Sequence, residues 1–141
     1  MREILFRGKR IDNGRFVIGF YLQHRNAAHY IVDVRYGGYE DIEGGFFVPR
    51  WYAVDPETVG QYIGLTDKNG KKIFEGDIVK GLFLFGLHAL GVVVFKDGTF
   101  GLKWNRGEVE EFNAFTSICN VTYEVMGNIH DNPELLKGGT P

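Results

Sequence analysis

Residues 91–104, GVVVFKDGTFGLKW, hold the clearest structural signal in the chain. Two apolar runs, 91–95 and 99–104, flank the turn-forming pair Asp97-Gly98. The two-residue turn that joins adjacent strands requires positive φ, which glycine adopts without steric cost. The stretch therefore predicts a β-hairpin, and it places two neighbouring strands in the second half of the chain.

The first half of the chain shows strand patterns of the same kind. Residues 4–11 and 16–22 are rich in apolar residues, and Asn13-Gly14 lies between them. An Asn-Gly pair in such a gap favours a tight hairpin turn. Within residues 28–36, Tyr30, Val32, Val34 and Tyr36 alternate with Ile31, Asp33 and Arg35, which is typical of a half-buried strand. These patterns predict an antiparallel sheet.

Proline marks three further boundaries. Pro49 interrupts the stretch 46–54 and predicts an edge strand or a bulge, because proline cannot donate a ladder hydrogen bond. The pairs Asp-Pro at 55–56 and Asn-Pro at 132–133 each join a capping side chain to a proline suited to the first turn of a helix. After the first pair the chain forms one helical turn or returns to strand. The second pair predicts a short terminal helix through Leu136.

These patterns predict a mainly β protein, of the β-rich α+β class, with two lobes. Strand patterns from residue 78 onward alternate with turn signals and predict a small β-barrel. The loop at residues 67–70 separates it from the strands of the first half. We therefore expect a β-sheet N-terminal lobe over residues 1–70 and a barrel lobe over residues 71–141.

Composition narrows the class of protein. Of 141 residues, 20 are glycine and 15% are aromatic, which suits short strands and tight turns better than helix bundles. A net charge of −2 lowers the expectation of a dedicated nucleic-acid binder. The single cysteine, Cys119, excludes an internal disulfide framework. The apolar run 81–95 is too short to span a membrane, and no signal peptide is evident, so we expect a cytoplasmic protein without a membrane partner.

The chain resembles the YopX family of small phage and prophage proteins in four stretches, which come in the family's order: ILFRGKRIDNG from Ile4, VDPETVGQYIGLTDKNGKKIFEGDIV from Val54, GVVVFKDGTFGL from Gly91 and YEVMGNIHDNPELL from Tyr123. The resemblance spans nearly the whole chain. It implies a β-rich protein whose second half is similar to an SH3-like barrel, encoded by a phage or prophage in a bacterium. It brings no accepted enzymatic activity and no catalytic residues. The segment 81–90 departs from the family's pattern, because it is apolar where members typically carry polar residues.

No catalytic residue, cofactor or metal site is predicted, and we expect no enzyme. The four histidines and Cys119 lack the spacing of zinc ligands. The loop 67–70 lacks the glycine and glutamate positions of a calcium-binding EF-hand. Ser117 and Cys119 lie among apolar residues, which indicates packing rather than an activated nucleophile. Glu108 and Glu110 share one face of a predicted strand and are explained as a polar sheet face.

Two surfaces are candidates for function. The apolar segment after residue 81 is either core or an exposed patch that binds another chain. A cluster of lysines in the loop near residue 70 could contact phosphates. The patch comprises Leu82, Phe83, Leu84, Phe85, Leu87 and Leu90, and the phosphate contacts are Lys68, Lys71 and Lys72.

We therefore expect a non-enzymatic interaction module that binds a host or phage protein, or forms a homo-oligomer. The alternative is a nucleic-acid-binding accessory protein of phage DNA metabolism, in which aromatic residues such as Trp51 and Tyr52 stack on bases. Salt dependence separates the two hypotheses. Phosphate contacts release counterions, so affinity for nucleic acid falls steeply with salt, whereas an apolar interface does not show this dependence.

Overall fold

The computed structural model describes residues 1–26, 28–33, 50–82, 88–115 and 123–137. Within these residues the protein is mainly β, as predicted, and helix is confined to two short 3₁₀ segments. No helix in this described part has the length and apolarity of a membrane span.

The chain divides into two compact units, Met1–Gln61 and Tyr62–Pro141. The division precedes the predicted boundary between residues 70 and 71. It falls inside one strand, so the backbone passes from the first unit to the second without an intervening loop.

The first unit is an antiparallel sheet in the order β4-β3-β2-β1-β5. The predicted Asn13-Gly14 turn joins the first two strands, and the N–H of Gly14 donates to the carbonyl of Arg10. The fourth strand begins directly after Pro49 and lies at the edge of this described sheet, as the proline predicted. The strands are β1 (Phe6–Lys9), β2 (Phe16–Gln23), β3 (His29–Asp33), β4 (Arg50–Ala53) and the beginning of β5 (Gly60–Thr66).

A short turn closes the core of the first unit. Val17, Ile31 and Val54 are buried together. The first 3₁₀ segment, Pro56–Thr58, follows the capping Asp55 and leads directly into β5, so one helical turn and a return to strand both occur. The hydroxyl of Thr58 accepts a hydrogen bond of 2.8 Å from the backbone N–H of Lys9, which fixes this turn to the end of β1.

The second unit contains a five-stranded antiparallel sheet in the order β10-β9-β8-β7-β11 and a hairpin formed by the end of β5 with β6. Its strands include those predicted at residues 91–95 and 99–104. The strands are β6 (Lys72–Phe74), β7 (Asp77–Leu82), β8 (His88–Lys96), β9 (Thr99–Arg106), β10 (Val109–Ala114) and β11 (Glu124–Asn128).

Two features of the predicted second half are not found. The described strands form an open sheet, because β10 and β11 lie at opposite ends of the order and no described ladder joins them, so a closed barrel is not seen. The terminal helix is only a 3₁₀ segment, Pro133–Leu136. Asn132 makes no side-chain capping bond to that segment. Its Oδ1 accepts instead from the N–H of Asn128, at 3.3 Å.

The 91–104 hairpin has the predicted turn. Lys96 pairs with Thr99, and Asp97 and Gly98 have φ values of 51° and 81°. Positive φ at both turn residues matches the right-handed twist of the strands. The hairpin places Val93 opposite Leu102, and both side chains are buried in the core of the second unit.

Gly98→Ala should lower the free energy of unfolding by about 1 kcal/mol or more, because alanine is strained at this φ of 81°. The matched control is Thr99→Ala, the next residue, which has no such constraint and should cost less. Urea denaturation followed by circular dichroism measures both. Equal and negligible losses would show that this turn does not require positive φ.

Candidate functional site

The predicted apolar patch lies mostly beyond what the structure describes. Leu82 ends β7, where it pairs with His88, and Leu90 is half-buried on β8. The other four members, Phe83, Leu84, Phe85 and Leu87, lie outside the described residues. A contact patch over the whole segment stays a prediction.

The three lysines proposed as phosphate contacts have different surroundings. Lys68 Nζ lies 2.8 Å from Glu124 Oε2. Lys72 Nζ lies 4.7 Å from the centre of the Tyr62 ring. Lys71 is exposed. The ion pair with Glu124 therefore offsets the charge of one of the three ammonium groups, which reduces the positive charge that the loop offers to a phosphate.

A buried carboxylate organises the same loop. Asp67 is 5% exposed. Its Oδ1 accepts from the N–H groups of Asn69 and Lys71, each at 2.9 Å, and its Oδ2 accepts from the N–H of Val125 at 3.0 Å. Burial alone would raise the pKa of Asp67, but these three donors outweigh it and hold the pKa below its ordinary value. The carboxylate therefore acts as a structural acceptor.

The remaining chemical candidates also lie apart. In the described ranges no three His, Cys, Asp or Glu side chains are close enough to hold a metal ion. His29 Nδ1 is hydrogen-bonded to the Tyr21 hydroxyl. Ser117 and Cys119 lie outside the described residues, and Glu110 is one of the side chains of the groove described next.

A groove of about 960 Å³ lies on the second unit, lined by residues of β8, β9, β10 and the C-terminal 3₁₀ segment. The register of the sheet explains its position. Val92 pairs with Lys103, so these side chains and that of Leu90 lie on the face opposite to the buried Val93 and Leu102. The C-terminal segment contributes the other apolar part of the lining.

The groove is apolar over much of its lining. Leu136 is 43% exposed, whereas Leu90, Val92 and Leu135 are half-buried. A volume of about 960 Å³ is near the upper end of the range of ligand pockets, which is roughly 300–1,000 Å³. The apolar lining consists of Ala89, Leu90, Val92, Leu135 and Leu136.

Charged side chains line the same groove, and most of them are basic. Lys103 and Lys137 are cations, His88 adds an imidazole, and Glu110 is the one carboxylate of this described lining. Arg106 borders the groove at the end of β9, where the alternation of the strand places its side chain on the same face as that of Trp104. In a chain of net charge −2, two cations beside one carboxylate form a local excess of positive charge. Such an excess attracts anionic ligands.

Trp104 adjoins the groove, but its indole is held on the other face of the sheet. Its Nε1–H donates to Asn113 Oδ1 at 2.7 Å. Trp104 pairs with Gly91, which places its side chain on the face opposite to Lys103. The groove therefore offers leucine and valine side chains, rather than an aromatic ring, for contact with a ligand.

This groove is not predictable from the sequence. His88, Arg106 and Lys137 are far apart along the chain and come together through the pairing of β8 with β9 and the position of the C-terminal segment. The one lining residue among the predicted contacts is Leu90. The sequence feature that indicated Leu90 as a contact is the apolar composition of residues 82–90.

Comparison with known proteins identifies relatives of this chain. The family model described as YopX protein matches residues 15–137. Among solved structures, the chain is similar to the crystal structure of protein EF1440 from Enterococcus faecalis, with a TM-score of 0.54 and 22% sequence identity over 96% of this chain and 99% of that chain. At this identity the likeness concerns the fold alone. Comparison with curated proteins finds no match.

Asp67→Asn should lower the free energy of unfolding at neutral pH by about 1–3 kcal/mol, because an amide cannot accept hydrogen bonds from all three N–H donors. Because the folded pKa of Asp67 lies below the unfolded one, its contribution is present above the unfolded pKa and is lost as pH falls through the folded pKa. The difference between wild type and variant should therefore shrink on acidification.

Urea denaturation at a series of pH values measures this difference. Asp97→Asn is the control, since Asp97 is exposed and asparagine tolerates its positive φ. If the Asp67→Asn variant follows the pH profile of the wild type with equal stability, the three hydrogen bonds do not stabilise the fold.

Proposed function

The chain belongs to the YopX family, and we propose that it is a non-enzymatic interaction module, encoded by a phage or prophage and acting in the cytoplasm of the bacterial host. Its partner is a host or phage protein, one segment of which binds in the groove of the second unit. The observation that carries this proposal is the lining of the groove, where leucine side chains lie beside cations and are open to solvent.

Apolar contact supplies the affinity in this proposal. Leu136 is 43% exposed, and Leu90 and Val92 are half-buried, so a bound segment removes further apolar surface from water. Full burial of a leucine contributes roughly 1.5–3 kcal/mol, of which these residues supply a part. A few apolar side chains from the partner are enough to fill such a site and act as anchors.

The chemistry of the lining supports binding rather than turnover. Among the described residues, the lining includes no hydroxyl or thiol nucleophile. Lys103 and Glu110 lie 3.7 Å apart, and both side chains are largely exposed. An exposed ion pair of this kind contributes little and does not provide the buried surroundings in which catalytic groups act.

An SH3-like arrangement of the second unit belongs to the same proposal, although the described strands form an open sheet. Its support is the run of five antiparallel strands in the order β10-β9-β8-β7-β11, together with membership of the family. A small barrel of this kind provides outer sheet faces and loops on which binding sites are built.

Self-association is a second way in which the module could act. The apolar composition of residues 82–90 supports it, since such patches are usually covered. Leu90 belongs both to that segment and to the groove. A homo-oligomer formed there would therefore compete with a bound partner, and light scattering in the presence of a groove ligand would detect the competition.

Nucleic-acid binding is the alternative function, and one observation on the first unit favours it. Phe20, Val32 and Trp51 lie side by side on one sheet face, and the two aromatic side chains are 50% and 54% exposed. Exposed aromatic rings on a sheet can stack on single-stranded bases. Binding through this face would be lost on Trp51→Ala and would leave the groove unaffected.

Selection from a library of random twelve-residue peptides displayed on phage should enrich sequences with two or more large apolar residues. Leu136→Asp should lower the affinity for the enriched peptides at least tenfold, because the substitution places a charge in the apolar lining. Loss of most of a leucine contact, about 1.4 kcal/mol, corresponds to this factor. Fluorescence anisotropy with synthetic peptides measures the affinities.

Leu22→Asp is the matched control, because Leu22 is 40% exposed, close to the 43% of Leu136, and lies on the first unit. It should leave peptide affinity unchanged. Thermal melting of both variants checks that the fold is intact. Failure to enrich any peptide, or equal weakening by the two substitutions, would refute the groove as the binding site.

A further inference from the structure

The groove contains one weak internal ion pair. Lys103 Nζ lies 3.7 Å from Glu110 Oε2, and the two side chains are 45% and 57% exposed. In the register of β9 and β10, Glu110 pairs with Asn105, which lies on the same face as Lys103. The carboxylate therefore occupies a position beside a cation on the wall of the groove.

Among the described residues, Lys137, the other cation of the lining, has no such partner. No acidic side chain of the described ranges forms an ion pair with it. Both lysines and the apolar lining residues belong to the same groove. Its charge is thus complementary to a ligand that combines apolar side chains with carboxylates.

We propose that the groove selects an acidic, apolar segment of its partner protein, and that Glu110 competes with the carboxylate of that segment for Lys103. This inference rests on the proposed function and specifies the partner and the residue that sets its affinity. On binding, the partner's carboxylate takes the place of Glu110 beside Lys103, while Lys137 offers further positive charge. Glu110 thereby weakens binding of anions and leaves neutral ligands unaffected.

The physical basis is the difference between an exposed ion pair and a covered one. The Lys103–Glu110 pair is surrounded by water, where such pairs contribute little and exchange readily. A bound segment covers the groove and lowers the effective dielectric around Lys103, so a charge pair made there becomes stronger. A partner carboxylate that is covered together with Lys103 can therefore displace Glu110.

Two fluorescent probes with the same ring system test this selection. Anilinonaphthalenesulfonate carries one negative charge, and N-phenylnaphthylamine is its uncharged counterpart. The wild-type full chain should bind both, and should bind the anion more tightly by a factor that falls with added salt. Glu110→Gln should raise the affinity for the anion about two- to fivefold and leave that for the neutral probe unchanged.

Glu111→Gln is the matched control. It removes the same charge from the neighbouring residue, but Glu111 pairs with Trp104 and lies on the opposite face of β10. Its affinity for the anionic probe should equal that of the wild type. Leu136→Asp should lower the affinity for both probes. This result would show that the probes bind in the groove.

The outcomes distinguish the groove as a ligand site from the role of Glu110. If neither probe binds, or if Leu136→Asp has no effect, the groove is not a ligand site, and the proposed function fails together with this inference. If both probes bind in the groove with equal affinity, or if Glu110→Gln and Glu111→Gln have the same effect, the groove survives and the role of Glu110 is refuted.

Discussion

The buried carboxylate of Asp67 is the interaction on which the second unit depends. It accepts hydrogen bonds from two N–H groups of its own loop and from Val125, which lies 58 residues further along the chain on β11. The neighbouring residue adds two contacts, because the N–H of Lys68 donates to the carbonyl of Tyr123 and its ammonium pairs with Glu124. Loss of this acceptor leaves N–H groups unsatisfied, each at a cost of about 1–3 kcal/mol. The carboxylate therefore ties the loop to β11, which is also held by its ladder with β7.

The stretch 54–79, which is the longest of the four that resemble the YopX family, is explained in the same way, because its buried acidic residues accept hydrogen bonds from backbone N–H groups. Asp77, which is 1% exposed, accepts from the N–H of Phe74 at 2.9 Å. Gly76 donates its N–H to the carbonyl of Val93 and accepts from the N–H of Ile129. The acidic residues and the glycine of this stretch thus bond to backbone groups of the turn, of β8 and of the segment after β11. These groups are therefore already bonded within the protein. The side chains of this unit that can contact a ligand lie on the outer face of the sheet, where Lys103 and Leu90 are not part of the core.

Turns could be predicted from the sequence because their cause is local. Asp97-Gly98 carries its own conformational requirement, and the structure confirms the hairpin. The alternation of side chains in β3 predicted a strand, but it did not predict which face of the strand is buried. In the structure Ile31 is fully buried, whereas Tyr30 on the other face is half-buried. The choice of buried face depends on what packs against the strand. Barrel closure and the groove are harder still, because both depend on which distant segments meet. Nothing near Lys137 in the sequence indicates that it lies beside β9.

The central claim is that a partner segment occupies the groove of the second unit. Nitrogen–proton correlation NMR of the labelled chain, titrated with an acidic apolar peptide, tests it most directly, because every backbone amide reports separately on contact. Shifts are expected to be concentrated at residues 88–92, 103–107 and 135–137, with the strands of the first unit unchanged. Shifts centred on β2, β3 and β4, or scattered evenly over both units, would contradict it.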